Sequence, residues 1–496
     1  MNTEQQNELL FLVFVLVVTL SIQLPILNAW PFITDENLYA LIIAEQMDGK
    51  MLVPTLFGYE ALWKPPLFFW VYADAASVLY PLLDLPIEGY FRLPTVFFGI
   101  LSAWALYYLL KALQVQEKLR YITLILYVLM PLVIYTNNSV LMDTMAHFFI
   151  LLSLLFYVKK DWPSHRFLAA GILVMLAFFT KFLLAAMAPL LAVGYFFLED
   201  RKTLRHPLFL LSLLAIPLSL GLHYVLVNDP ENFTMLYATD MIGNFTRHGS
   251  DGSTVLAKLV HSAQGLFFVA GVWLFLSFFG LLKYWKTNRF LAFWYLLIAI
   301  PIFTAGFRPW YFLPLAPAIA YFSAMALTGV KEGIRIDRFA VFGALLFLLS
   351  STILAQLFFW TLLDSAAEHK RMGEMMVGKG NMLLFGNYWI GTIAYKVLNE
   401  RLETGTYNDF GWMVVAPQSF TESPRDYIED YYRENPDIND ENINRIYWKY
   451  EEEIFRKRTN VTNFDYAVIA GEYELLDDAG TVMYNSSAVQ VIQLNN

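Results

Sequence analysis

The sequence predicts a polytopic α-helical membrane protein with a separate water-soluble α/β domain at its C-terminus. Three observations lead there. The 496 residues are 57% hydrophobic and 16% charged, with a mean hydropathy of +0.48. Several apolar runs exceed the ~18 residues a helix needs to cross a bilayer. The charge is also uneven: residues 1–364 carry 22 acidic and 22 basic side chains, whereas residues 365–496 carry 21 and 12, so the whole net charge of −9 belongs to the tail.

The apolar runs place helices near 9–27, 92–111, 119–137, 143–158, 167–182, 184–198, 207–227, 263–282, 290–306, 312–329 and 339–363, about eleven spans in all. The N-terminal MNTEQQNELL lacks the basic segment and cleavage site of a signal peptide, so 9–27 reads as a retained first span. The run 66–83 is apolar enough to cross, but charge argues for an interfacial helix. With 66–83 kept out of the count, the loops 111–120, 159–166, 199–206, 283–289 and 331–338 share one side, and each holds three Lys or Arg. Basic loops face the cytoplasm. A crossing at 66–83 would swap every later loop. Asp74, inside that run, is also costly at mid-membrane. The N-terminus is therefore expected in the cytoplasm and the C-terminus outside.

The expected division is a transmembrane domain over 1–364 and an extracytoplasmic soluble domain over 365–496. Within the first lie two large outer loops, 28–91 with its juxtamembrane helices and 228–262. In the tail, the apolar runs MLLFG, WMVVAP, YAVIAG and AVQVIQL alternate with helical stretches near 389–403 and 438–458, the pattern of a small α/β domain. Because 167–198 must hold two short spans with cytoplasmic flanks, their hairpin turn falls near Lys181 on the outer side.

The absence of cysteine excludes disulfides, zinc–thiolate sites and thiol catalysis. The remaining ionisable groups gather at the outer face. Asp35 and Glu36 follow the first span, and Lys64 sits in ALWKPPLFFW before the interfacial run. Asp143 opens the fourth span, Lys181 lies in the hairpin, Arg247 and His248 are in the second loop, and Arg308 begins RPWYFLP. Charges at that depth line a cavity or bind a ligand. Each also has a plainer role. Asp35 and Asp143 can cap helices, Lys64 can reach headgroups with its stem in the apolar layer, and Lys181 and Arg308 can anchor helix ends. His147, one turn after Asp143, reads as a satisfied core histidine. Taken together, the set suits a lipid phosphate: Lys and Arg hold and stabilise a phosphate leaving group, and a carboxylate takes a proton from an attacking hydroxyl. Pro65 and Pro66 stiffen the entry to the interfacial helix beside Lys64.

The order ITDENLYALIIAEQM, LVPTLFGYEALWKPPLFFW, FRLPTVFFG, NNSVLMDTMAHFF, LAFFTKFLLAAMAP, MIGNFTRHG and RPWYFLPLAPAIA resembles the GT-C membrane glycosyltransferases. The branch it most resembles holds the protein O-mannosyltransferases and the lipid A aminoarabinose transferases. The resemblance extends over about 30–330 and is poor in the tail. It implies a GT-C-like fold and an inverting transfer of a sugar from a polyprenyl-phosphate donor to a lipid, protein or glycan hydroxyl on the extracytoplasmic side. By the same resemblance Asp35 is the base, with Asp143 as a second acid and Glu36 beside the base. Lys64, Arg247, Lys181 and Arg308 hold the donor phosphate, and Tyr39, Tyr311 and His248 line the cavity. Leu38 and Trp63 stand where relatives often carry an arginine and an acid, and Phe182 where a glycine is usual. The expectation is therefore a reaction without an essential metal, a divalent ion being the alternative. The partners expected are the lipid-linked sugar, its acceptor and membrane lipids, with no nucleic acid. Two other functions remain open: a polyprenyl-lipid transporter or flippase, and a non-catalytic lipid-binding scaffold.

Overall fold

The structure, a computed structural model, describes residues 3–27, 30–33, 35–49, 52–56, 59–60, 64–227, 270, 272–305, 309–328, 366–379, 382–385, 389–404, 412–415, 466–470, 480–485 and 489–494. The elements in chain order are α1 (Thr3–Ile26), α2 (Asp35–Asp48), β1 (Thr55–Leu56), β2 (Tyr59–Glu60), α3 (Pro66–Leu79), α4 (Ile87–Ala112), α5 (Glu117–Val128), α6 (Pro131–Asn137), α7 (Met142–Val158), α8 (Arg166–Thr180), α9 (Met187–Glu199), α10 (Pro207–Leu213) and α11 (Ala215–Val227). There follow α12 (Val272–Tyr284), α13 (Arg289–Ala305), a 3-10 turn (Pro309–Leu315), α14 (Ala316–Thr328), α15 over 366–375, β3 (Met382–Phe385), α16 (Trp389–Thr404), β4 (Trp412–Val415), β5 (Tyr466–Ala470), β6 (Gly480–Asn485) and β7 (Val489–Leu494).

The chain forms two compact units. The first holds α1 and α3–α14. Among the described residues, four of its helical stretches are long and apolar enough to cross a membrane: Gln5–Ile26, Ile87–Ala112, Pro207–Val227 and Trp310–Thr328. This is an integral membrane protein. The single span expected over 119–137 is two helices, α5 and α6, bent by 58°. The cause is Pro131 at the first position of α6, which has no N–H to continue the ladder. The stretches expected at 143–158, 167–182 and 184–198 are α7, α8 and α9, of 17, 15 and 13 residues. The stretch expected at 339–363 lies outside the described residues, as does most of 263–271.

Helix α3 has 14 residues, with Pro66 in its first turn and Pro65 extended before it (φ −66°, ψ 144°). Its buried side is Phe68, Phe69, Tyr72, Ala73 and Ala76, while Asp74 is exposed. The Tyr72 hydroxyl meets Thr95 Oγ1 of α4 at 2.8 Å. In α4, Arg92 is wholly buried and donates from Nη1 to the Leu27 carbonyl at 3.1 Å, closing the C-terminal end of α1.

Close backbone packing sets the positions of α12 and α14. A Cβ at Gly280 would run into the Phe322 carbonyl, the kind of small-residue contact that membrane helices use. Gly280→Ala is expected to destabilise the protein by about 1–3 kcal/mol through overpacking. A lower unfolding midpoint in detergent reports it, and an unchanged midpoint would mean that α14 simply moves aside.

The second unit holds α2, the β1–β2 hairpin, α15, α16 and a five-stranded sheet. The sheet order is β4-β3-β5-β7-β6, with β3 parallel to both β4 and β5, and β7 antiparallel to β5 and β6. Residues 30–60 of the first loop thus fold with the tail, while Lys64 and α3 fold with the helices of the first unit. Helix α2 packs on α16 and on β1. Five successive residues, Ala40 to Ala44, are at most 1% exposed, so α2 is covered all round rather than along one stripe.

Candidate active site

In the first unit, three expected site residues come together from distant parts of the chain. Leu141 is extended (φ −123°, ψ 138°) and α7 begins at Met142, which puts Asp143 in the first helical turn, where the helix dipole favours an anion. Helix α8 stops at Thr180, and Lys181 is extended (φ −157°, ψ 92°) before the 3-10 turn Phe182–Ala186. From that break Lys181 Nζ reaches Asp143 Oδ1 at 2.5 Å. It also lies 4.5 Å from the centre of the Tyr311 ring, a cation–π distance. Asp143 is 2% exposed and Lys181 23%. The carboxylate is thus shut away, while the ammonium still reaches the surface of the first unit.

His147 follows Asp143 on α7 and is wholly buried. Its ring lies 6.3 Å from that of Tyr127. The sequence predicts a satisfied core histidine. The position is indeed core, but neither ring nitrogen has a hydrogen-bond partner among the described residues. Lys64 is half-buried ahead of Pro65. Arg308, Arg247 and His248 lie outside the described residues.

The acidic pair belongs to the second unit. Asp35 is the first residue of α2 and is half-buried. Glu36, 1% exposed, turns back so that Oε2 accepts from the Ile33 N–H at 3.0 Å, satisfying a donor ahead of the helix as a capping acid does. Asn37 Nδ2 donates to the Phe32 carbonyl at 3.3 Å. Tyr39 is buried at 6% exposure. The segment 30–33 is tied further: the Phe32 N–H donates to the Tyr395 hydroxyl of α16 at 2.6 Å, and the two rings stack at 5.5 Å. Nothing local in the sequence marks Tyr395, which lies in the part of the chain where the resemblance fails.

Behind Tyr395, α15 and α16 are locked together. Lys396 Nζ donates to the carbonyls of Met376 at 2.8 Å and Lys379 at 2.9 Å, and pairs with Glu400. Glu400 Oε1 accepts from the Gly378 N–H at 2.8 Å, at a turn whose φ of +70° suits glycine. Burial pulls the Lys396 ammonium below its ordinary pKa, while the Glu400 carboxylate acts the other way. His369 Nδ1 lies 3.0 Å from Thr392 Oγ1, and burial pushes its pKa down to about 4, so the ring is neutral at pH 7. Among the described residues no three His, Asp or Glu side chains cluster as a metal site would need.

Residues 63–223 match the family model described as dolichyl-phosphate-mannose-protein mannosyltransferase. The fold matches the crystal structure of ArnT from Cupriavidus metallidurans bound to undecaprenyl phosphate, with a TM-score of 0.61 and 15% identity over 97% of each chain. The chain shares the fold of that structure. The apo state of the same ArnT matches with a TM-score of 0.59 and 15% identity, over 99% of this chain and 98% of that one. The archaeal oligosaccharyltransferase AglB from Archaeoglobus fulgidus, in complex with an inhibitory peptide and a dolichol-phosphate, matches with a TM-score of 0.54 and 12% identity, over 94% of this chain and 70% of that one. No curated protein sequence matches significantly. The stretch matched by the family model takes in Lys64, Asp143 and Lys181, and stops short of Asp35, Tyr311 and the tail.

Proposed function

We propose that the chain is an integral-membrane glycosyltransferase that moves a sugar from a polyprenyl-phosphate donor to a lipid, protein or glycan hydroxyl on the extracytoplasmic side. The observation that carries this reading is the grouping of Asp143, Lys181 and Tyr311 at helix ends of a GT-C fold, with Asp143 and Lys181 inside the family-model match. The lipid phosphates bound by ArnT and AglB support the donor class. The acceptor oxygen attacks the anomeric carbon, the bond from that carbon to the phosphate oxygen breaks with inversion, and the proton passes to a carboxylate. In this reading Asp35 is that base, and Asp143, with Glu36, orients the acceptor. Lys64, Lys181, Arg247 and Arg308 take the charge on the departing lipid phosphate, and Tyr39, Tyr311 and His248 line the cavity.

Membranes containing the native protein are expected to transfer radiolabel from a polyprenyl-phosphate sugar to an endogenous acceptor. Lys64→Ala is expected to lose on the order of a hundredfold in rate, the scale for removing one group that stabilises developing charge. Failure of the native protein to transfer from any donor tried, with lipid binding retained, would replace this reading by that of a lipid scaffold or flippase.

A further inference from the structure

The acidic helix α2 sits in the same unit as the tail and rests on it. Phe32 is 1% exposed and Tyr395 is wholly buried, so the Phe32 N–H has its hydrogen bond to the Tyr395 hydroxyl in a dry setting. That bond fixes the backbone three residues before Asp35. The Phe32 ring stacks on the Tyr395 ring, and Lys370 Nζ of α15 lies 5.4 Å from the centre of the same Tyr395 ring. Tyr395 is itself packed closely from the other side. A Cβ at Gly373 would press on Tyr395 Cβ at 2.5 Å and on the Thr392 carbonyl at 2.6 Å, so α15 and α16 are in backbone contact there. One turn away the Lys396–Glu400 pair ties the end of α15 to α16. The result is a stiff two-helix platform carrying the start of α2.

We propose that the C-terminal domain takes part in the reaction by holding the acidic helix in place, with Tyr395 as its positioning residue. This rests on the assignment of Asp35 as the base. The tail is then neither a passive solvated module nor only an acceptor-binding surface: it sets where the carboxylate stands. A base displaced by a fraction of an ångström loses rate without losing substrate affinity.

The test is Tyr395→Phe in the purified full chain, because it keeps the ring, the stack and the packing and removes only the acceptor oxygen. A buried N–H left without a partner has lost a bond whose removal corresponds to about a tenfold change in a local equilibrium. Hydrogen exchange of peptides covering 30–48 is expected to quicken about tenfold, while peptides covering 366–379 and 412–415 exchange as in the native chain. Transfer is expected to fall about tenfold in kcat with the KM for the lipid donor unchanged. Tyr395→Ala, which also removes the stack, should exaggerate both effects. Unchanged exchange at 30–48 overturns the proposal, as does faster exchange with kcat intact, because the anchor would then not serve the reaction. If the native chain transfers no sugar from any donor, the enzymatic reading fails by itself, and the exchange measurement alone decides whether Tyr395 anchors α2.

Discussion

Asp35→Asn is expected to reduce sugar transfer by about a thousandfold, the scale of a lost general base. The substitution is chosen to change little else. Asn has nearly the same shape as Asp and is equally acceptable at a helix start, so α2 should begin where it does now. Asp35 is half-buried, and Asn keeps one of its two acceptor oxygens, so the substitution removes the charge with little change in packing. The amount of protein in the membrane and the exchange protection of 30–48 should therefore match the native chain while transfer collapses. Glu36→Gln provides the contrast. Glu36 is the buried neighbour whose Oε2 accepts from Ile33, and Gln keeps an acceptor oxygen for that bond. Its rate should fall far less. Transfer retained in Asp35→Asn and lost in Glu36→Gln would exchange the two roles.

Lys181→Met is the second large effect, and it acts on stability and activity together. Asp143, at 2% exposure, faces the Lys181 ammonium at 2.5 Å. Removing one partner of a buried pair leaves a charge in a poor solvent, a loss of about 3 kcal/mol, and the apolar setting of the surrounding helices makes that charge harder to keep. The single variant should unfold in milder conditions and transfer little sugar. Adding Asp143→Asn to Lys181→Met removes the stranded charge and should restore most of the stability, since replacing both members of a buried pair by neutral groups is close to neutral. Transfer should stay lost in the double variant. Restored stability with restored transfer would reduce the pair to a structural brace and remove both residues from the chemistry.

What could be read from the sequence followed from local features. The break near Lys181 follows from the basic loops on both flanks of 167–198, which require two short stretches between them, and helix α8 does stop at Thr180. Strands β3, β4, β5 and β7 coincide with the four apolar runs of the tail. The break between α5 and α6 was within reach, since Pro131 stands in the middle of the run, but hydropathy over a long window smooths a single residue away. The pairing of Asp143 with Lys181, and of Lys181 with the Tyr311 ring, depends on elements far apart in the chain, so the motifs marked the residues but not their contacts. The grouping of 30–60 with the tail had no signal at all. Tyr395 and Lys396 look like ordinary residues of an amphipathic helix, and only the fold gives them partners.

The distance in sequence between Phe32 and Tyr395 has a consequence for biosynthesis. The two residues are 363 positions apart. A ribosome adding 5–20 residues each second takes roughly 20 to 70 seconds to cover that interval. For that time the acidic helix has been made, yet the surface that steadies it has not. Its covered stretch Ala40–Ala44 must wait without the α16 face it finally packs on. A part of the chain made later thus completes a piece begun 363 residues upstream, so a nascent chain that stalls or is cut before Tyr395 carries the carboxylates but not their mounting.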